Sequence, residues 1–247
     1  NKVIVSIEPQ KFLVESIAGE FVSVSVLVPS GQSPATYQVT ARQMAEMSKA
    51  ICYFKIGVPF ENGAIGKINS AIPNLKIVDS VRGIPLREMK TVFEIQDDNN
   101  NDSHSHSHSH THTSTCSHTG LDPHVWLAPV KASKLAENMA ETLMELLPEH
   151  RDAIAANLKA LGAELSELDT YIRDKFSHLN SRKFMVFHPA WGYFADAYNL
   201  VQLPIEVEGK EPSARQLAQL IDIGRREGIK VIFVQPQFSK RSAKLIA

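Results

Sequence analysis

The sequence predicts an α/β protein made of two parallel-sheet lobes, and three observations carry that reading. Short apolar runs alternate with helix-spaced patterns over the first eighty residues and again after residue 180, the rhythm of β-α-β units. A long apolar seam at helical spacing lies between those two stretches. The composition, 43% hydrophobic and 21% charged over 247 residues, is that of a globular chain and far from the signature of disorder.

In chain order the first lobe predicts a strand over 3–7, a helix over about 9–18 and a strand over 22–28. A helix over about 41–49 follows, then a strand over 50–56, a helix over about 60–71 and a strand over 75–78. Pro9 suits a first helical turn and Gly19 suits its end. Thr40 with Gln43 three residues on forms a capping-box pattern. After Arg87 the periodicity fades into an Asp/Asn run and then Ser103 to Gly120, a tract too polar to pack and expected as a mobile surface loop over about 97–120.

Two helices come next. The first, over about 130–147, carries Leu135, Met139, Leu143 and Leu146 and stops at Pro148. The second, over about 149–177, carries Ile154, Leu158, Leu161, Leu165, Leu168 and Ile172 as one continuous seam. At 1.5 Å per residue it spans roughly 40 Å, long enough to link two lobes. Beyond it the reading gives strands over 183–187, 201–205 and 230–234, with helices over about 191–198, 213–227 and from 239 onward. The expected organisation is therefore an N-terminal lobe over 1–148 with its His-rich loop, a linking helix over 149–178, and a smaller, incomplete C-terminal lobe over 179–247.

The charge balance, 26 basic against 27 acidic residues, provides no field for nucleic acid or anionic lipid, so polyanion binding is disfavoured. The longest apolar stretches fall short of the ~20 residues that span a bilayer. Cys52 and Cys116 make neither a disulfide framework nor a paired-cysteine zinc motif.

Histidine is where the sequence is informative. Of ten histidines, six (His104, His106, His108, His110, His112 and His118) lie in one short window, most alternating with Ser or Thr. Neutral imidazole suits Zn²⁺, Cu²⁺ and Ni²⁺, and a flexible tract captures such ions loosely without a preformed cage. His124 stands in Asp122-Pro123-His124-Val125-Trp126, between that tract and the first long helix. His188 follows the buried run Phe184 to Phe187, at the carboxyl end of a strand, the edge where open α/β sheets place ligands. Two such histidines on opposite lobes point to a shared metal site in the cleft between them.

These motifs, with Phe187-His188-Pro189-Ala190-Trp191-Gly192-Tyr193-Phe194 and Glu211-Pro212-Ser213, resemble the zinc/manganese solute-binding proteins of bacterial ABC importers. The resemblance runs the full length and includes the Gly31 to Tyr37 turn, the His-rich insertion and the long helix. It implies two α/β lobes joined by a rigid helix, with a metal ion held in the cleft and delivered to a membrane permease. It further implies an extracytoplasmic monomer, periplasmic or tethered at the cell surface. By the same resemblance His124 and His188 match the second and third ligand histidines, one from each lobe. The first ligand departs from the pattern, because Pro34-Ala35-Thr36-Tyr37 has a methyl group where the family has histidine. The usual fourth ligand, a carboxylate, falls beyond Ala247. Water, the unseen carboxylate, a histidine of the 104–118 tract or another side chain must then complete the shell; Glu61 is the nearest candidate, with Gln32, Glu208 and Gln235 weaker.

Zinc is the expected ion, because manganese wants more oxygen ligands. Two other classes remain open at this point. A zinc-dependent hydrolase is disfavoured because the chain lacks His-Glu-x-x-His, Gly-x-Ser-x-Gly and Gly-x-x-x-x-Gly-Lys motifs. A His-rich metal buffer or adhesin leaves His188 at a strand end without a reason. The sequence therefore reads as a binding protein rather than an enzyme.

Overall fold

The computed structural model describes residues 1–89, 120–206, 210–235 and 241–246. Contacts divide the chain into two compact units, Asn1–Leu86 with Val125–His178 and Arg87–His124 with Leu179–Ala247. The described residues Arg87–Met89 and Gly120–His124 thus belong with the C-terminal strands rather than with the sheet they follow in sequence, and the long helix belongs with the first unit.

The first unit is built on β1 (Lys2–Val5), β2 (Ser23–Val26), β3 (Cys52–Lys55) and β4 (Lys76–Asp79), all parallel in the order β2-β1-β3-β4. The central strands read as unbroken apolar runs because both faces are covered: Val3, Ile4, Val5, Cys52, Tyr53 and Phe54 are all essentially inaccessible. Helices α1 (Glu8–Ala18), α2 (Ala41–Met47) and α3 (Pro59–Ala71) are the crossovers. Gly19 ends α1 at a φ of 53°, a conformation that a side chain disfavours. Thr40 and Gln43 form the expected capping box on α2, with Gln43 N–H donating to Thr40 Oγ1 at 3.2 Å.

Helices α4 (Pro129–Leu146) and α5 (Arg151–Ser177) form an antiparallel pair around the turn at Pro148. Leu135, Met139 and Leu143 of α4 are buried, as their spacing requires. On α5 the seam is buried at Ile154 and Leu161 but Leu168 is 46% exposed. The reason is length. A Cβ at Gly162 would lie 3.9 Å from Ser133 Oγ, which sets the register of the pair, so α4 runs out at Pro129 just as α5 reaches Ser166. The remaining turns of the 27-residue helix have no α4 partner.

The second unit carries β5 (Lys183–Val186), β6 (Val201–Pro204) and β7 (Ile232–Phe233), parallel in the order β6-β5-β7. Helices α6 (Gly192–Ala197), α7 (Ala214–Arg226) and α8 (Arg241–Ile246) complete it. Met185, Phe187, Leu203 and Ile205 point to one face and pack with Leu220, Ile223 and Ala243. By strand alternation Val186 and His188 point to the other face, as do Pro204 and Glu206. Ser213 caps α7 through a second capping box with Gln216. Both parallel sheets and the long helix match the expected fold class.

Candidate metal centre

His124 is delivered by a short stem. Glu88 and Leu121 make an antiparallel bridge, and Asp122 N–H donates to Arg87 C=O at 2.8 Å. The Asp122-Pro123-His124 sequence then turns sharply, because Asp122 Oδ1 accepts the His124 backbone N–H at 2.9 Å. The same oxygen lies 2.7 Å from His124 Nδ1. Asp122 is 1% exposed, and its Oδ2 is buried without a hydrogen-bond partner among the described residues.

His188 is delivered by β5. Continuing the register Val186↔Pro204 by two residues puts His188 opposite Glu206, and Ile205 N–H and Glu206 N–H do bond to Val186 C=O and Phe187 C=O at 2.8 and 3.0 Å. Glu206 Oε1 lies 2.6 Å from His188 Nδ1. The turn after His188 is fixed from the neighbouring strand: Gln202 Oε1 accepts Trp191 N–H at 3.0 Å, while its Nε2 donates to Pro189 C=O at 3.2 Å. Gln235 Nε2 donates to His188 C=O at 3.2 Å, and its Oε1 is a second buried acceptor without a donor among the described residues.

The two imidazoles meet edge to face with centroids 5.1 Å apart. Each Nδ1 faces a buried carboxylate, which only accepts, so in the neutral ring the hydrogen belongs on Nδ1 and Nε2 is the nitrogen able to bind an ion. Side-chain exposures of 15% for His124 and 22% for His188 leave both rings within reach of an ion. Chemically the pair offers two neutral nitrogen donors, each oriented by its own carboxylate. Among the described residues no group of three or more His, Cys, Asp and Glu side chains is disposed to hold a metal, so the pair is not a closed cage.

Both histidines lie in the second unit, where the sequence reading expected one from each lobe. The other candidates fare differently. Ala35 is exposed and offers no donor beyond its backbone. Glu61 is buried with both oxygens engaged: Ser6 Oγ and Ile56 N–H reach Oε1, and Gly57 N–H reaches Oε2 at 2.7 Å. Burial pushes its carboxyl above the usual range, against the downward pull of those donors. That set of contacts is what a clamp on the turn from β3 into α3 requires. Gln32 is exposed. Glu208, and His104, His106, His108, His110, His112 and His118, lie outside the described residues. Sequence reasoning missed Glu206 and the part played by Asp122. Glu206 had a readable signal, since it ends the apolar run of β6 on the strand beside the one that carries His188.

The profile of the family described as "ZnuA: Zinc-uptake complex component A periplasmic" matches residues 3–247. The chain belongs to this family. Among ZnuA-family relatives, the high-affinity zinc uptake system protein ZnuA of Bacillus subtilis is 29% identical, with 99% of this chain and 74% of that protein aligned. The zinc-binding protein AdcA of Streptococcus pyogenes is 26% identical; this chain is covered entirely but spans only 48% of AdcA. A crystal structure of ZnuA superposes with a TM-score of 0.84 at 40% identity, covering 100% of this chain and 86% of the other. A zinc-bound deletion variant of ZnuA superposes with a TM-score of 0.83, also at 40% identity, covering 100% and 85%.

Proposed function

We propose that this ZnuA-family protein is an extracytoplasmic receptor that captures Zn²⁺ and hands it to an ABC permease, with His124 and His188 as two of the ligands. The observation that carries the reading is the pair itself: two imidazoles 5.1 Å apart between ring centroids, each with a carboxylate within 2.7 Å of Nδ1. Carboxylate-backed imidazoles are the usual way in which zinc ligands are held. Neutral imidazole donors favour zinc over manganese. The names of the relatives, a zinc uptake protein and a zinc-binding protein, support the same ion.

The donor set is that of capture rather than turnover, and zinc is the cargo. Water and donors beyond the pair complete a shell near tetrahedral geometry. The six histidines of the 104–118 tract act as weaker, looser sites that raise the local supply of the ion. The receptor acts as a monomer, in the periplasm or tethered at the cell surface, and needs no nucleic acid. No helix among the described residues is long and apolar enough to cross a membrane.

Calorimetric titration with Zn²⁺ tests the reading. The parent should show one tight class of site and a weaker class. His188→Ala and His124→Ala should each abolish the tight class and leave the weaker one. Ligating imidazole must be deprotonated, so tight binding should weaken between about pH 7.5 and about pH 5. Tight binding that survives in His188→Ala would sink the assignment.

A further inference from the structure

We infer that Tyr193 is a positioning residue for the metal centre: its buried hydroxyl and the cation-filled notch at Gly192 lock the strand that bears His124 onto the helix that follows His188. The inference rests on the reading that these two histidines bind zinc. Tyr193 is 1% exposed, and its hydroxyl both accepts and donates. It accepts Arg87 N–H at 3.0 Å and donates to Asp122 C=O at 2.9 Å. Those two groups belong to the two strands of the stem, which already pair through Asp122 N–H and Arg87 C=O. One hydroxyl therefore ties both strands together at the point where the chain turns towards His124.

Gly192 is the second element. A Cβ built there would lie 1.6 Å from Arg87 Nη1 and 2.8 Å from Asp122 Oδ2, so the missing side chain is the space that the guanidinium occupies. Arg87 Nε also lies 3.3 Å from Asp196 Oδ2, one helical turn further along α6. Gly192, Tyr193 and Asp196 thus hold the stem from a single helix, and that helix starts four residues after His188. Asp122 in turn orients His124 through two contacts to one oxygen. The separation of the two rings is set through this path, because the two histidines are 64 positions apart in the chain. A structural tyrosine would stabilise the fold and leave the affinity alone. A positioning tyrosine changes the affinity and the ligand geometry.

The test compares the full-length parent with Tyr193→Phe, Asp196→Asn and His188→Ala. Zinc affinity is read by competition with a chromophoric chelator, ligand geometry by the visible absorption of bound Co²⁺, and folding by melting of the metal-free protein. Tyr193→Phe should lose about tenfold in zinc affinity and shift the Co²⁺ bands, the scale of effect seen when groups that orient ligands are removed. Asp196→Asn, an exposed substitution, should lose about threefold by releasing Arg87, and carries the test if Tyr193→Phe does not fold. Parental zinc affinity with unchanged Co²⁺ bands in Tyr193→Phe, even with a lowered melting temperature, overturns the inference; so does parental affinity in Asp196→Asn where that variant carries the test. His188→Ala separates the two ideas. If it loses tight binding while Tyr193→Phe keeps the parental affinity, only the positioning role falls. If it keeps tight binding, the histidine-pair reading falls and takes the positioning role with it.

Discussion

Glu206 Oε1 sits 2.6 Å from His188 Nδ1, across the two parallel strands β6 and β5 and two residues beyond their last paired residues. Glu206 is 6% exposed, so this contact is made away from bulk water, where a charge-assisted bond is strong. In the neutral ring the carboxylate keeps the hydrogen on Nδ1 and leaves Nε2 as the nitrogen that would face an ion.

Glu206→Ala should therefore weaken the tight zinc site by about 10- to 100-fold, since the His188 ring loses its tautomer and its orientation. Glu206→Gln keeps an acceptor for Nδ1–H and should fall between the parent and the alanine variant. Chelator competition ranks the three, and an alanine variant as tight as the parent contradicts the role given to Glu206.

Glu61 makes a prediction about stability and pH. Its folded carboxyl titrates above the ordinary 4.5, with burial as the largest cause. A group raised in the folded state contributes its full stabilisation below the unfolded value and loses it as pH climbs through the folded one. The stability difference between the parent and Glu61→Gln should thus be greatest below about pH 4.5 and shrink as pH rises above it. Urea unfolding of the metal-free proteins across that range measures it, and a difference that grows with pH contradicts the assignment.

The stem predicts what removal of the histidine-rich insertion does. Glu88 and Leu121 pair directly, and Met89 N–H reaches Gly120 C=O at 3.5 Å. Replacing 90–119 by an Asn-Gly link should close the stem as a hairpin. The tight zinc site should persist and the weaker class should vanish from the titration. Loss of the tight site on this deletion assigns a ligand to the removed tract.

Gly224, inside α7, predicts a stabilising change. A Cβ there would meet Met185 Cε at 3.6 Å and Sδ at 3.8 Å, ordinary contact distances. Gly224→Ala should raise stability by roughly 0.5–1 kcal/mol through the helix propensity of alanine, with a small upward shift of the melting temperature. A lower melting temperature shows that Met185 cannot accommodate the methyl group.

Much of the fold was legible because the signals were local. Pro9, Gly19 and the Thr40–Gln43 box mark ends that the backbone itself enforces, and the apolar run Val3 to Val5 needs no distant partner to declare a buried strand. The seam on α5 was legible as a pattern but not in its extent of burial. How far Leu168 is covered depends on where α4 begins, which is a property of another element. The same division holds at the site. His124 and His188 stand in short motifs at element ends, whereas the part of Glu206 depends on a strand register and that of Tyr193 on bonds to residues 106 and 71 positions away. Glu61 looked like a spare ligand because its type and position fit; only its neighbours Ser6, Ile56 and Gly57 reveal a turn clamp.

Gln202 binds both ends of the turn after His188 from the strand beside it, so that turn has no slack of its own. A cation held by His188 would therefore not be unloaded by peeling that ring back on a loose loop. Release there would need the His188 imidazole itself to rotate, or β5 and β6 to move together.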